Sequence, residues 1–458
     1  MPVSDESHVE RSATFREAFS STEYRAVFSA SALSWIGDSL AKAAVTALVY
    51  NQTQSVVASA ATFAISFLPW VAGGPILAAI AERYPQRNIM IIADLTRMVL
   101  IALVAVPRMP IPAMLVLLFL TSLFNPPFDA ARSALLPQIL TGDRYVVGVS
   151  LQNAANQGAQ LIGYMIGAAL ASGHPHAALL VDAGTFAFSA FMTRVGVLRR
   201  PAALRSEQRR HLLRETGEGF RLVFGTQSLR AIAIVVLTAH LFTVVPEGLA
   251  AAWAATLETN TTHRGLAQGI IMIANPLGYL VAGLLIGRLV PPDTRRRLIR
   301  PFCVLAPVAL IPSLFRPDTI MVAVLAGICG ACLAGIVPAA NGLFVQVLPN
   351  AYRARSFGIM QSGLQLVQGT GVVLTGLLAS RFDLSTVVGG WSVFGAVLML
   401  SVSTLWPSQH EFSEAIARTR AANAEAEAAV AVQANVAGQR PPADDVVPSI
   451  APRAAKSM

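Results

Sequence analysis

A chain of 458 residues that is 54% hydrophobic and 13% charged, with a mean hydropathy of +0.57, cannot cover its apolar surface with polar side chains, since soluble domains are about 25% charged. The net charge of +9 does not mark a nucleic-acid binder, because the basic residues are scattered between apolar stretches rather than clustered with aromatics. Only Lys42 and Lys456 are lysines, and neither sits in the Gly-Lys-Ser/Thr context that a phosphate-binding loop needs, which excludes ATP-driven transport on this chain.

The N-terminal segment, residues 1–25, is polar at its start, with Asp5, Glu6 and Glu10 and no apolar stretch, so it is not read as a signal peptide. Twelve segments then reach the roughly 20 apolar residues that a bilayer-spanning helix needs. Span 1 (26–50) places Ser31, Trp35, Asp38 and Lys42 on one helical face. Span 2 (56–81) carries Trp70, and span 3 covers 88–107. Span 4 (112–136) has Asn125 and Asp129 near its inner end, where a gate would lie, and Arg132 reads as an interfacial anchor. Span 5 (146–170) bears an amide stripe of Gln152, Asn156 and Gln160, followed by Gly163 and Gly167 as a small-residue packing face. Span 6 (176–198) contains Asp182, which receives no role.

A basic linker, 199–230, separates six spans from six, and its Leu212, Leu213, Phe220, Leu222 and Val223 allow either an amphipathic surface helix or a solvated connection. Span 7 (231–256) presents His240, Thr243 and Glu247 on one face, with Phe242 and Trp253 nearby; span 8 (265–288) carries Tyr279. Span 9 covers 298–316. Span 10 (319–344) includes Cys329 and Cys332, whose spacing suits a metal or redox pair but whose apolar setting favours packing. Span 11 (356–379) repeats an amide stripe at Gln361, Gln365 and Gln368, and span 12 covers 386–406. The tail, 407–458, is Ala- and Glu-rich to about Ala437 and reads as largely disordered, above all after Pro441.

Arginine alternates between the connections. Arg83 and Arg87, Arg132 and Arg144, the run Arg199–Arg230, the group Arg288–Arg300, and Arg353 with Arg355 fall on one side of the predicted spans; the other side is nearly empty. This is the positive-inside pattern, so both termini are expected in the cytoplasm. High Ala and Arg usage suggests a GC-rich bacterial genome, hence a multi-pass protein of the inner (cytoplasmic) membrane. The expected fold is all-α and polytopic: twelve transmembrane helices in two pseudo-symmetric six-helix bundles, 26–198 and 231–406. At one constant offset, Gln152, Asn156 and Gly167 of span 5 fall on Gln361, Gln365 and Gly376 of span 11, as after an internal duplication.

The buried charges Asp38, Lys42 and Glu247 are the candidates for proton coupling or substrate contact, joined by His240 and Trp35. The alternative is an Asp38–Lys42 ion pair that merely neutralises both charges. The stripes of Gln152, Asn156, Gln361 and Gln365 are read either as hydrogen-bonding glue between bundles or as ligands for a polar solute. No nucleophile cluster, metal set or catalytic carboxylate pair is evident, so an enzyme, a metal site and a cofactor are not expected.

Several short matches together resemble the major facilitator superfamily, most closely its twelve-span exporter branch of macrolide and siderophore efflux proteins. The link after span 2 reads Ala78-Ala79-Ile80-Ala81-Glu82-Arg83-Tyr84-Pro85-Gln86-Arg87, retaining the acid and two Arg of the family's motif. Asp94-Leu-Thr-Arg97, Ala130–Pro137 and Val347–Arg355 also match, and the resemblance covers residues 20–406. In span 5 the exporter motif's Pro is Tyr164 and its last Gly is Ala168. The resemblance implies a rocker switch with spans 1, 4, 7 and 10 around a cavity, and a conformational latch at Glu82, Arg83, Arg87, Asp94 and Arg97. It implies secondary active transport of a small-molecule solute, as proton-coupled efflux of a drug-like or secondary-metabolite molecule by a monomer in the lipid bilayer. Uptake of an organic nutrient and a non-transporting sensor are the alternatives.

Overall fold

The computed structural model describes residues 14–70, 84–141, 143–171, 173–200, 212–349 and 352–436, and no strand occurs among them. Helix occupies part or all of each of the twelve predicted segments. Span 1 is the helix Thr22–Thr53, which starts a turn earlier than expected because Ser21 caps the Tyr24 amide. The described part of span 2 is Val56–Ile65, and span 3 is Gln86–Val104. Spans 5, 6, 8, 10, 11 and 12 are Asp143–Ala171, Pro175–Gly196, Thr261–Leu289, Thr319–Val347, Arg353–Leu378 and Leu384–Thr404.

Three spans expected as single helices are broken. Span 4 divides into Ile111–Ser122 and Asn125–Ile139, and span 7 into Gln227–Thr243 and Val245–Leu257. Pro126 and Pro127 in one case and Pro246 in the other occupy the first turn of the second helix, where a missing N–H costs least. Span 9 runs as Pro292–Val308 and then tightens into a 3-10 turn at Ile311–Phe315.

By length and composition, 8 helical segments among the described residues qualify as membrane-crossing. Spans 3, 5 and 11 are not among them, because Asp94 and Arg97, and the two amide stripes, lower their hydropathy. Such helices cross a membrane by turning their polar face toward protein or a cavity. The chain is an all-α polytopic membrane protein.

Packing repeats between the halves. Span 1 lies on spans 5 and 6 as span 7 lies on spans 11 and 12; span 3 lies on span 6 as span 9 lies on span 12. Close helix approach depends on particular glycines: a Cβ at Gly167 would stand 2.3 Å from the Leu40 carbonyl oxygen of span 1. The linker contributes the helix Leu212–Gly225, in which Glu218 lies 3.7 Å from Arg355 of span 11, so it packs on the second bundle. Gln409–Val436 continues the tail as a helix docked by buried Phe412 and Ile416 and by the Thr419 hydroxyl, which donates to the Val347 carbonyl at 2.9 Å.

The halves meet at the ends away from the Arg-rich connections. Gln268 of span 8 donates to the Ala43 carbonyl of span 1 at 2.8 Å, Gly269 faces Ala168 of span 5, and Gly369 and Gly376 of span 11 face Phe67 and Ala60 of span 2. This seal leaves a space between the halves on its Arg-rich side.

Candidate functional site

Two adjoining chambers of about 430 and 390 Å³ occupy that space, sharing Asn156, Gln157, Gln160 and Gln368 as common walls. On spans 1, 5, 8 and 11 the cavity residues lie on the Arg-rich side of the seal residues. In span 1 Trp35 and Asp38 precede Ala43; in span 5 Asn156 precedes Ala168; in span 11 Gln361 and Gln365 precede Gly369; in span 8, running oppositely, Asn275 and Tyr279 follow Gln268.

The first chamber is lined by Trp35, Asp38 and Lys42, by Gln361 and Gln365, and by Arg97, Asn125 and Asp129. His240 and Glu247 line the second with Tyr279 and Asn275. Residues far apart in sequence are thus assembled around one volume because both bundles turn their polar faces inward. Phe242 and Trp253, which share span 7 with the cavity residues, are instead fully buried: Phe242 packs against Trp391 and Phe394 of span 12, and Trp253 lies in the apolar core of the outer half of span 7.

Asp38 does not pair with Lys42. It lies 3.6 Å from Arg97 of span 3, whose guanidinium also binds Asp94 at 2.5 Å and donates to Asn125 at 3.0 Å. Phe128 and Phe186 cover the guanidinium on ring centroids at 4.6 and 4.5 Å. Ser189 of span 6 donates to the other Asp94 oxygen at 2.6 Å. Asp182 is fully buried beside this group, and its Oδ1 lies where a Cβ on Gly37 would be, 2.2 Å away. A desolvated guanidinium with five donors is suited to gathering several carboxylates, and here it joins spans 1, 3 and 4.

Lys42 instead lies over the Phe63 and Phe67 rings, 6.0 and 5.5 Å from their centroids, within electrostatic reach of both Asp38 and Glu247. Glu247 accepts a 3.4 Å hydrogen bond from the Tyr164 hydroxyl, which in turn accepts one from Gln160 at 3.3 Å. Tyr164 therefore connects span 5 of one half to span 7 of the other. The His240 Nδ1 lies 2.8 Å from the Val236 carbonyl, leaving Nε2 as its other ring nitrogen.

Of the amide stripes, Asn156, Gln361 and Gln365 face the chambers, while Gln152 accepts a hydrogen bond from Arg132 within the first half. Arg132 also pairs with Asp129 at 3.1 Å and stacks over Trp35, 4.9 Å from the ring centroid, so it extends the chamber wall rather than standing as an isolated anchor. The amide that does bridge the halves is Gln268, which sequence reading missed; its position on a small-residue face of span 8 was the available signal.

Of the proposed latch, Glu82 and Arg83 lie outside the described residues. Arg87 is buried and donates to the Arg194 carbonyl of span 6, while Asp94 and Arg97 belong to the buried cluster. Cys303, Cys329 and Cys332 are buried free thiols, and the Cys329 Sγ lies 3.2 Å from the Ala306 carbonyl in the packing of spans 9 and 10.

Known proteins place this architecture. Macrolide efflux protein A of Streptococcus pyogenes is 22% identical over 404 residues, spanning 85% of this chain and 96% of that protein. Among solved structures, the nucleoside transporter NupG (D323A mutant) superposes with a TM-score of 0.66 at 15% identity, covering 84% of this chain and all (100%) of that one. The inward open conformation of the xylose transporter XylE from E. coli gives 0.65 at 13% identity, over 88% of this chain and 99% of that one. A family profile described as Major Facilitator Superfamily matches residues 27–257 and 232–437. With a match over nearly all of both halves, and a cavity sealed on one side between them, the chain belongs to the Major Facilitator Superfamily and is a transporter.

Proposed function

We propose that this transporter couples proton movement to efflux of a drug-like or secondary-metabolite molecule by alternating access. The observation that carries the reading is the set of opposed charges across the cavity: Asp38 and Lys42 on span 1, Glu247 on span 7. Lys42 attracts both carboxylates, so neutralising Glu247 by a proton removes an attraction between the halves and favours their separation on the closed side. Two chambers of about 430 and 390 Å³ are of the size of small-molecule sites. Trp35, Trp70 and Tyr279 offer apolar contact to an amphipathic cargo, while the amides fix its polar groups. The likeness to a macrolide efflux protein supports outward movement. The positive-inside pattern supports a cell membrane location with both termini and the open side of the cavity facing the cytoplasm.

In proteoliposomes, an imposed proton gradient is expected to accelerate solute movement, and Asp38→Asn and Glu247→Gln to reduce that acceleration about tenfold while gradient-independent exchange persists. Unchanged pH dependence in both variants would sink the coupling. A second reading, uptake of a polar organic nutrient, is favoured by the density of amides at Asn153, Asn156, Gln157, Gln160 and Gln368. The direction of accumulation in sealed vesicles of known orientation separates the two.

A further inference from the structure

A further cavity lies apart from the two chambers between the halves. It measures about 520 Å³ and sits on the Arg-rich end of the second half, between the start of span 9, the ends of spans 10 and 12, and the helix Gln409–Val436. Three guanidinium groups, Arg296, Arg297 and Arg300, form its polar wall; Trp406, Phe412 and Ile416 form its apolar floor. No carboxylate lines it among the described residues. The acids of the tail helix beside it are otherwise engaged: Glu411 accepts from the Ser408 amide at 2.6 Å, and Glu414 accepts from Arg418 at 2.8 Å.

The arginines are held in place without being neutralised. Arg300 donates to the Trp406 carbonyl at 2.6 Å and Arg296 to the Gln346 side chain at 3.2 Å. Both partners are uncharged, so the positive charge is retained and further N–H donors remain for an anion. Below the pocket the surface becomes apolar and outward-facing, with Leu400 and Leu405 of span 12 being 60% and 61% exposed. A site that is cationic at the membrane boundary, apolar at its floor and continuous with a lipid-facing helix matches an amphiphile whose head is a phosphate.

We propose that this pocket binds the phosphate of an acidic phospholipid headgroup, with an acyl chain lying along span 12. Paired Arg donors match phosphate oxygens bidentately, and basic pockets between helices at the membrane surface select anionic headgroups. Such a lipid would tie the tail helix to spans 9, 10 and 12, because Trp406 and Phe412, whose rings are 5.3 Å apart, belong to different segments of that wall. The proposal stands independently of cargo and direction.

The test is lipid retention by the purified full-length protein, followed by native mass spectrometry in detergent titrated with phosphatidylglycerol or phosphatidylethanolamine. Phosphatidylglycerol is expected to bind at least tenfold more tightly. The double variant R296Q/R297Q, which leaves the Arg300–Trp406 bond intact, is expected to remove that preference. The single variant R297E, at a residue exposed to solvent, is expected to do the same, guarding against loss through misfolding. Inorganic phosphate at equal concentration is expected not to displace the lipid. Equal retention of the two lipids by the native protein, an unchanged preference in both variants, or displacement by inorganic phosphate alone would each overturn the proposal.

Discussion

Arg97→Ala is expected to destabilise the protein by about 3–5 kcal/mol, the cost of leaving buried charge without its partner. The native side chain is 2% exposed and compensates Asp94 at 2.5 Å and Asp38 at 3.6 Å while Asp182 lies alongside. Removing it leaves Asp38, Asp94 and Asp182 together with only Lys42, in reach of Asp38, to offset them, and also empties the slot between Phe128 and Phe186. Arg97→Lys keeps the charge but loses the fork that reaches Asp94 and Asn125 together, so an intermediate loss is expected. Thermal unfolding of the detergent-solubilised protein measures both. Adding Asp94→Asn to Arg97→Ala should recover part of the loss, since the two residues form one network. A loss under about 1 kcal/mol for Arg97→Ala would show that the cluster is hydrated and its charges are screened.

Gly278→Val is expected to be the second most damaging substitution, costing at least about 3 kcal/mol through overpacking. A Cβ at Gly278 would stand 1.9 Å from the Gly327 carbonyl oxygen and 2.7 Å from its carbonyl carbon. These are backbone atoms of span 10, so no side-chain rotation relieves the clash and the two helices must separate. Their contact is the most extensive between any two spans among the described residues, which spreads the damage. Gly287, on the same helix, is the internal control: nothing lies within 4 Å of a Cβ placed there. Gly287→Ala is expected to be neutral or mildly stabilising, because Ala is the better helix former by about 1 kcal/mol. Folded yield and thermal midpoint of the two variants, compared side by side, decide the matter; equal behaviour would contradict the packing argument.

Local features were legible in the sequence to the extent that they depend on one helix at a time. Asp38 and Lys42 fall on one face by helical spacing alone, and both reach the cavity wall. The same holds for His240 and Glu247 of span 7. Spacing could not supply partners. It offered Lys42 as the counterion of Asp38, whereas Arg97, from another span and assigned by resemblance to a conformational latch, takes that position. Asp182 received no role, yet tertiary packing sets it against span 1 beside the same cluster. Tyr164 was visible only as a departure from a motif's Pro, and its hydroxyl proves to reach Glu247 of the other half. The breaks in spans 4 and 7 could have been read from Pro126, Pro127 and Pro246, but long apolar runs outweighed them.

The sequence by itself determined that the chain spans a membrane, where its helices lie and that its halves repeat. These follow from the free energy of placing each residue in hydrocarbon or water, which depends on residue type and local periodicity. Only the tertiary structure decided which end of the halves is sealed, which charges meet, and that Arg296, Arg297 and Arg300 share a pocket with Trp406. Such pairings join residues of different spans, and they depend on how helices cross and rotate against one another. That geometry is set by packing side chains into the spaces between helices, and no single segment contains it.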